Sequence, residues 1–324
     1  MLSLRPMTRI YRPEALTAAP SPDAPVRRYT IAAIGDVHDQ WNEDDNRALE
    51  ALGVELALFV GDFGNEAVPI VRTIAALAVP KAVILGNHDA WYSASPWGQK
   101  RCPYDRRLED RVQQQLDLLG GDHVGYGSKA VPRLGLSVVG GRPFSWGGDD
   151  WKNPDFYRDR YGIHSFAESG DRITATAIAA PHPHLIFLAH NGPFGLGAEP
   201  EDPCGRDWQP RGGDFGDPDL TAAIKTARDR DRQVSLVVFG HMHHRLRHRS
   251  DRLRQIVQRD AAGTIYLNAA CVPRHQILQG TPAHQFITVT YCDHQIDAID
   301  QIWVDRSGQP LETRPLYRSA AIAP

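Results

Sequence analysis

The chain has 324 residues, of which 42% are hydrophobic and 23% are charged, and its formal net charge at pH 7 is −3. This length and balance predict a soluble globular protein with a sizeable core. The small negative charge disfavours a general electrostatic attraction to nucleic acid or to an anionic membrane surface. No apolar stretch approaches the length of a membrane span, so an integral membrane protein is not expected.

The first residues and the cysteines give two further expectations. Residues 1–28 contain several arginines and prolines but no apolar core, which predicts a flexible N-terminal arm and not a secretory signal peptide. Cys102, Cys204, Cys271 and Cys292 are widely spaced and form no C-x-x-C pair. This pattern favours reduced thiols and a cytoplasmic location.

Apolar runs alternate with helical patterns in the first half of the chain. The helical patterns cover 43–52, 66–78 and 106–119. Five apolar runs predict strands at 30–34, 56–60, 82–85, 185–188 and 236–239. This alternation is typical of βαβ units, so a mostly parallel sheet is expected.

Beyond residue 127 the pattern changes. A short strand is predicted at 136–139, and further helices at 171–180 and 220–230. Toward the C-terminus, runs suited to a second sheet cover 264–268, 286–291 and 298–304. The expected organisation is the arm at 1–28, one domain at 29–308 with a cap-like insertion within 90–183, and a tail at 309–324.

Short polar motifs directly follow the five apolar runs. They are, in chain order, Asp36-Val37-His38, Gly61-Asp62, Gly86-Asn87-His88-Asp89, Ala189-His190-Asn191 and Gly240-His241-Met242-His243. In open α/β folds the ligand crevice lies beyond the carboxyl ends of the strands, so these motifs are expected to meet. Each motif alone is typical of a turn, but together they supply nitrogen and oxygen ligands for two neighbouring metal ions.

In this order, the motifs resemble those of the calcineurin-like metallophosphoesterases, which read D-x-H, GD, GNH followed by an acid, a single H, and G-H-x-H. The resemblance implies an α/β fold in which a two-sheet β-sandwich is flanked by helices, here with an inserted cap region. It also implies two divalent metal ions, manganese first, with iron, zinc, cobalt, nickel or magnesium also suited to the ligands. The implied ligands are Asp36, His38 and His243 for one metal, Asn87, His190 and His241 for the other, and Asp62 as the bridge between them.

The loop after His190 carries a looser resemblance. Its strings AHNGPFGLG, CGRDW and GGDFGDPDL are similar to those of a poorly characterised subgroup of the family found in cyanobacteria and plastids. Long glycine-rich loops beside a metal ligand usually shape an active site. This resemblance implies no particular substrate.

The second motif departs from the serine/threonine protein phosphatases of the same superfamily, which read GDxxDRG. In this chain Asn65 takes the place of the later aspartate, which supports the catalytic histidine, and Glu66 takes the place of the phosphate-binding arginine. A neutral amide orients an imidazole but does not offset its positive charge as a carboxylate does. Protein phosphatase activity of that type is therefore not expected.

The resemblance implies hydrolysis by a hydroxide that bridges the two metals and attacks phosphorus in line. Because Asn87 is the implied ligand of its motif, His88 is expected to act on the leaving oxygen, either by protonating it or by stabilising its charge. Asp89 is the second catalytic candidate and is expected to hold His88 in place.

The segment between Asp89 and His190 is rich in tryptophan and predicts a specificity cap. Aromatic rims stack on planar substrate groups, but they also simply pack a large loop onto its domain. Substrate contacts are expected from Asn87, Arg142 and Trp91. For Arg142 the alternatives are a phosphate contact and a structural ion pair.

The predicted function is hydrolysis of a phosphoester in a small phosphorylated metabolite or nucleotide, without nucleic acid or membrane as a partner. A phosphodiesterase or nuclease is the main alternative, because the arginine-rich stretch 245–259 could gather a polyanion. That stretch is also consistent with a solvated connector between strands. A non-enzymatic interaction module on the same fold is the second alternative, although such a module would be expected to lose metal ligands that this chain retains.

Overall fold

The computed structural model describes residues 27–319, which form two β-sheets packed face to face between layers of helices. The N-terminal arm predicted at 1–28 lies almost entirely outside the described residues. None of the helices within 27–319 is long and apolar enough to cross a membrane.

The first sheet, sheet A, has the strand order β13-β12-β11-β1-β2-β3, and β10 pairs with β11. Its strands are β1 Arg28–Ile34, β2 Leu56–Phe59, β3 Lys81–Val83, β10 His275–Leu278, β11 Thr281–Cys292, β12 Gln295–Val304 and β13 Pro310–Arg318. Strands β1, β2 and β3 are parallel to one another. Strand β11 pairs with β1, β12 with β11 and β13 with β12, and all three pairs are antiparallel.

The second sheet, sheet B, has the order β4-β5-β6-β7-β9-β8. Its strands are β4 Ser128–Val131, β5 Leu136–Gly140, β6 His184–Leu188, β7 Gln233–Phe239, β8 Val257–Arg259 and β9 Ile265–Asn268. The central four strands, β5, β6, β7 and β9, are parallel. The predicted α/β sandwich with parallel central strands is therefore confirmed.

Seven α-helices occur within the described range. They are α1 Glu43–Ala51, α2 Val68–Ala75, α3 Pro96–Gln99, α4 Arg111–Leu119, α5 Pro154–Tyr161, α6 Phe166–Ala179 and α7 Pro218–Arg228. Apolar residues of α1, α2 and α4 pack on the outer face of sheet A, and those of α6 and α7 pack on the outer face of sheet B.

Strand alternation explains why both faces of each sheet are buried. Ile31 of β1 points into the core between the two sheets, whereas its neighbour Ala32 points toward the helices over sheet A. In β6, Ile186 packs in the core between the sheets, whereas Phe187 packs in the layer under α6 and α7. Successive side chains of a strand face opposite ways, so continuous apolar runs are required here.

One expected boundary differs from the structure. The segment expected as a C-terminal tail instead contributes β13, which pairs with β12. The range 90–183, within which a cap-like insertion is expected, also supplies β4 and β5 of sheet B as well as α4 and α6. The loops within that range that flank the site are residues 91–105 and 141–153.

Candidate metal centre and active site

The first predicted ligand set converges at the ends of β1 and β7. The Nε2 atom of His243 lies 3.1 Å from Asp36 Oδ2 and 3.1 Å from His38 Nε2. Asp36 Oδ2 is buried and has no hydrogen bond of good geometry, although His243 faces it. An orphaned carboxylate oxygen facing two imidazole nitrogens fits a metal site, because all three groups offer lone pairs to one point.

The second set converges where β6 and β7 end beside the loop after β3. The Nε2 atom of His190 lies 2.9 Å from Asn87 Oδ1 and 3.2 Å from His241 Nδ1. His190 Nδ1 lies 2.7 Å from the carbonyl oxygen of Val60 and donates its hydrogen there. This hydrogen bond fixes the tautomer, so Nε2 keeps its lone pair for a metal.

Asp62 lies between the two sets. Its Oδ1 is 3.4 Å from His190 Nε2, and its Oδ2 is 3.9 Å from His38 Nε2. One carboxylate oxygen therefore faces each set. The donors present fit two divalent ions with Asp62 as the shared ligand, as the resemblance implied.

The electrostatics of the ligand sets match this arrangement. Burial alone would raise the pKa of Asp36, but the close approach and the charge of the His243 imidazole outweigh it and hold that pKa well below its usual range. Burial, reinforced by the charge of His190, lowers the pKa of His241 to about 3. Asp36 thus remains a carboxylate and His241 a neutral imidazole, the protonation states that bind metals.

The backbone at the ligands is strained. Asp36, His38, Asp62 and His241 all have positive φ values, between 39° and 65°. Such conformations are uncommon for residues with side chains and cluster at functional sites. The site also needs a glycine at position 86, because a Cβ atom there would lie 2.4 Å from Asp62 Oδ1 and 2.5 Å from the ring of His190.

His88 lies beside the centre, and two contacts hold it. Its Nδ1 is 2.6 Å from Asn65 Oδ1 and donates to that acceptor, which leaves Nε2 facing Asp62 Oδ2 at 4.0 Å. Its ring stacks on Trp91 with centroids 4.5 Å apart. Burial lowers the pKa of His88, against the opposing charge of Asp62.

Asp89 does not hold His88, contrary to our expectation. It is fully buried, and its carboxylate accepts backbone N–H groups from Asp62 (2.9 Å), Phe63 (2.8 Å) and Gly86 (2.7 Å). It therefore ties together the two loops that carry Asp62 and Asn87. Burial and the charge of Asp62 raise the pKa of Asp89, while the three N–H donors oppose that shift.

Trp91 lies next to the centre, and its indole stacks with two other rings. One face stacks on His88, and the ring also stacks with Trp146 at 5.3 Å. Trp97 meets it edge-on at 5.6 Å. Trp91 therefore supports His88, and its expected substrate contact stays a prediction.

Arg142 is a structural ion pair, so the expected phosphate contact is wrong. Its side chain is only 2% exposed, and it donates to Asp217 (2.8 Å) and Asp219 (2.9 Å). Ser145 donates to the same Asp217 oxygen at 2.8 Å. The pair fastens the cap loop to the start of α7.

Glu66 has a structural role that its place in the motif did not indicate. It is buried, and it accepts hydrogen bonds from the Tyr92 backbone (2.8 Å) and the Tyr104 hydroxyl. Burial raises its pKa. The residue in the position of the phosphatase arginine thus anchors the first cap loop.

The glycine-rich loop after His190 is joined to the cap. Asn191 Nδ2 donates to the carbonyl oxygen of Phe215 at 2.9 Å, and the Gly148 backbone donates to the same oxygen at 2.8 Å. A Cβ atom at Gly147, where φ is +68°, would lie 2.8 Å from both Asn191 Nδ2 and that carbonyl oxygen. The two loops therefore form one connected wall beside the centre.

A third group of metal-capable side chains, Asp45, His275 and His284, was missed in the sequence. Both imidazoles lie 2.9 Å from Asp45 Oδ1, but the buried guanidinium of Arg274 is also 3.8 Å from that oxygen. A permanent positive charge there disfavours an additional cation. Asp45 also accepts the Asn42 backbone N–H that begins α1, so this cluster is a structural network.

We expect Asp45→Asn to lower the free energy of unfolding by about 3–5 kcal/mol at pH 7, the cost of breaking a buried ion pair. Burial alone would raise the pKa of Asp45, but hydrogen bonds from His275 and His284 and the charge of Arg274 outweigh it and lower that pKa. The stabilisation is therefore present above the unfolded pKa, about 3.9, and is lost as the pH falls below it.

Urea denaturation at pH 7 and at pH 3 would measure this difference. The adjacent Asp44→Asn is the control, since Asp44 forms only a surface pair with Arg47 and should change stability by about 0.5 kcal/mol or less. Equal stability of the Asp45 variant and the wild type at pH 7 would contradict the assignment.

Known structures share this fold. One solved structure aligns with a TM-score of 0.50 at 13% identity, over 85% of this chain and 99% of its own. A dimetal phosphatase of Danio rerio aligns with a TM-score of 0.46 at 14% identity, over 90% of this chain and 99% of its own. A protein of Thermus thermophilus aligns with a TM-score of 0.45 at 13% identity, over 90% and 100%. No curated protein matches the chain significantly.

The sandwich and the converging donors together define an α/β protein with a candidate metal-binding centre. The sequence model of the calcineurin-like phosphoesterases matches residues 29–245, which is more than half of the chain. This protein therefore belongs to the calcineurin-like phosphoesterase family, as its motifs predicted.

Proposed function

We propose that this protein hydrolyses a phosphoester in a small phosphorylated metabolite or nucleotide, using two divalent metal ions, with manganese as the first candidate. The observation that carries the proposal is the placement of Asp62 between two complete donor sets, with His88 beside it. When bound, the metals would activate water and offset charge on the phosphoryl oxygens.

The residues around the metal ligands would complete the chemistry. Asn65 orients the imidazole of His88 so that Nε2 faces the centre, where it can act on the leaving oxygen. Trp91 stacks on that imidazole and excludes water from one side of it, and Trp146 stacks on Trp91. Asp89 keeps Asp62 and Asn87 at a fixed separation through its backbone contacts.

Two observations favour a small substrate over a nucleic acid. The loops at 141–153 and 191–217 are joined by hydrogen bonds into one wall beside the centre, and a walled site suits small ligands. Part of the basic stretch after His243 is neutralised, since Arg249 pairs with Glu201 and Asp251, and Arg254 pairs with Asp207. A nuclease would need a continuous positive groove.

A cytoplasmic location is also proposed, because all four cysteines are free thiols. The expected partner is the phosphorylated substrate alone. Retention of every predicted ligand and of His88 disfavours a non-enzymatic interaction module.

Chelation is expected to abolish the activity, and manganese is expected to restore it. The test is turnover of a panel comprising an aryl phosphomonoester, an aryl phosphodiester, nucleotides, sugar phosphates and single-stranded DNA, with metal analysis expected to find about two ions per chain. Full activity in the demonstrated absence of metal would overturn the metal-dependent mechanism. A clear preference for DNA under matched salt would favour the nuclease.

A further inference from the structure

Glu66 is fixed in the structure at both its backbone and its side chain. It lies between the Asp62 loop and α2, where its carbonyl oxygen accepts the Val68 N–H at 3.0 Å. The residue is buried, with only 1% of its surface exposed. Its φ of +52° lies in the left-handed region, which is uncommon for a residue with a long side chain. A backbone conformation of this kind persists only where the surrounding contacts hold it, and it is typical of functional sites.

The backbone of Glu66 holds the main chain of His88. The Glu66 N–H donates to the His88 carbonyl oxygen at 3.0 Å, and the Trp91 N–H donates to the same oxygen at 3.1 Å. The preceding residue, Asn65, holds the His88 ring, since its Oδ1 lies 2.6 Å from Nδ1. Two consecutive residues of the second motif therefore hold the main chain of His88 and one nitrogen of its ring.

The carboxylate of Glu66 holds the loop that begins with Trp91. One carboxylate oxygen accepts the Tyr92 N–H at 2.8 Å, and the other accepts the hydrogen of the Tyr104 hydroxyl. The Tyr104 ring is itself held from α4, because the guanidinium carbon of Arg111 lies 4.0 Å from its centroid. Glu66 thus joins the two ends of the first cap loop, 91–105, directly beside the indole that stacks on His88.

The other aromatic contacts of Trp91 give it less directional support. Trp97, which meets it edge-on, belongs to the same loop and does not tie that loop to the rest of the site. Trp146 stacks on it from the second cap loop, but in the described part of the chain the Trp146 indole nitrogen has no hydrogen-bond partner. The Glu66 carboxylate therefore supplies the hydrogen bonds that tie Trp91 and its loop to the Asp62 side of the site.

We propose that Glu66 is a positioning residue for the reaction: by holding the Trp91 indole against the His88 ring, it keeps His88 Nε2 facing the centre. The inference rests on the proposed function, because it concerns how His88 acts on the leaving oxygen of the phosphoester. An imidazole held at its ring only by Asn65 can still tilt about that one hydrogen bond. The stacked indole restricts this tilt, and a displacement of about 1 Å at a reacting group costs on the order of a hundredfold in rate.

The stacking of Trp91 on His88 can be measured in the metal-free protein, without turnover. The measurement is NMR of the carbon-bound protons of the His88 ring, assigned by their loss in His88→Asn. The ring current of a stacked indole shifts these protons upfield. Glu66→Ala removes both hydrogen bonds and should abolish most of the upfield shift. Glu66→Gln retains an acceptor for the Tyr92 N–H and an amide that donates to the Tyr104 oxygen, so it should keep the shift.

Two further variants complete the comparison. Tyr104→Phe removes one of the two hydrogen bonds but keeps the ring beside Arg111, so it should fold and lose part of the upfield shift. Gln99→Ala is the matched control, because it removes a hydrogen bond to the Ser93 carbonyl oxygen (3.1 Å) within the same loop and leaves the contacts of Glu66 in place. It should keep the full shift. Circular dichroism checks that each variant is folded.

A kinetic comparison tests the consequence for His88. With manganese-loaded protein, Glu66→Ala should lower kcat for an alkyl phosphomonoester about tenfold to a hundredfold, and kcat for an ester of an acidic phenol less than about threefold. The KM values should change less than about threefold, because the substitution removes no substrate contact. Glu66→Gln should restore most of the activity toward the alkyl ester.

The proposal is overturned if Glu66→Ala and Tyr104→Phe keep the wild-type upfield shift, if Gln99→Ala loses it equally, or if the wild type shows no such shift. Equal losses of kcat for the two esters would also overturn it, and so would a loss in Glu66→Gln as large as that in Glu66→Ala. If Glu66→Ala does not fold, Tyr104→Phe decides. If the metal-loaded wild type hydrolyses neither ester, the proposed function fails, and the NMR measurement still decides whether Glu66 positions His88.

Discussion

Asp62→Asn is expected to lose most of the metal from both sites and to lower activity by more than about 10³-fold, above the usual cost of removing one oxyanion donor. The physical reason is that one carboxylate faces both donor sets, with Oδ1 toward His190 and Oδ2 toward His38. An amide has the same shape, but it carries no charge and offers an N–H₂ group to one of the metals.

The fold should survive this change. Asp62 Oδ1 accepts the backbone N–H of His88 at 2.8 Å, and the carbonyl oxygen of an asparagine can accept the same hydrogen bond. Metal analysis after dialysis against a fixed manganese concentration, together with circular dichroism, would separate metal loss from unfolding. Asp149→Asn, at an exposed position of the cap loop, is the matched control and should keep both metals. Retention of two ions by Asp62→Asn would contradict the bridging role.

The ligands could be predicted from sequence because each follows a buried parallel strand. The apolar runs at β1, β2, β6 and β7 determine the strands, and the carboxyl ends of parallel strands bring their following residues to one edge. The order of the motifs, through the resemblance to the family, then indicated which ligands would hold each metal. The sequence could not show that the two carboxylate oxygens of Asp62 face different donor sets, because this geometry depends on the packing of sheet A on sheet B.

The roles of the surrounding residues could not be predicted, because they depend on loop contacts between distant positions. Arg142 looked like a phosphate contact, but its partners Asp217 and Asp219 lie more than seventy residues further along the chain. Asp89 is adjacent to His88 in sequence, yet its carboxylate points back to the Asp62 loop. A charged residue that is close to a motif in sequence does not reveal which loop it contacts.

Glu66 and Asn65 illustrate the same limit in opposite ways. The sequence indicated correctly that a neutral amide could orient an imidazole, and Asn65 contacts His88 Nδ1 at 2.6 Å. It gave no signal that Glu66 would bind Tyr92 and Tyr104 of the cap. The motif position that binds phosphate in protein phosphatases is therefore used in this chain to anchor the cap loop that contains Tyr92 and Tyr104.

His88→Asn is expected to lower kcat by about 10² to 10⁴-fold, the usual contribution of a positioned acid–base group, while metal content remains close to that of the wild type. The His88 ring lies close to His38 and Asp62, but its Nδ1 is engaged by Asn65 and its Nε2 is 4.0 Å from Asp62 Oδ2, so we do not count His88 among the ligands. Burial lowers the pKa of His88, so its imidazolium form, which carries a proton on both ring nitrogens, is a stronger acid and can transfer the Nε2 proton to the leaving oxygen.

The dependence on the leaving group distinguishes this role from a structural one. If His88 acts on the leaving oxygen, the loss in kcat should be large for alkyl esters and small for esters of acidic phenols, whose oxygen needs no proton. Trp91→Phe retains an aromatic support beside His88 and serves as the control, with a smaller loss that varies less with the leaving group. A loss of metal in His88→Asn, or an equal loss for alkyl and phenyl esters, would contradict the assignment of His88 to the leaving group.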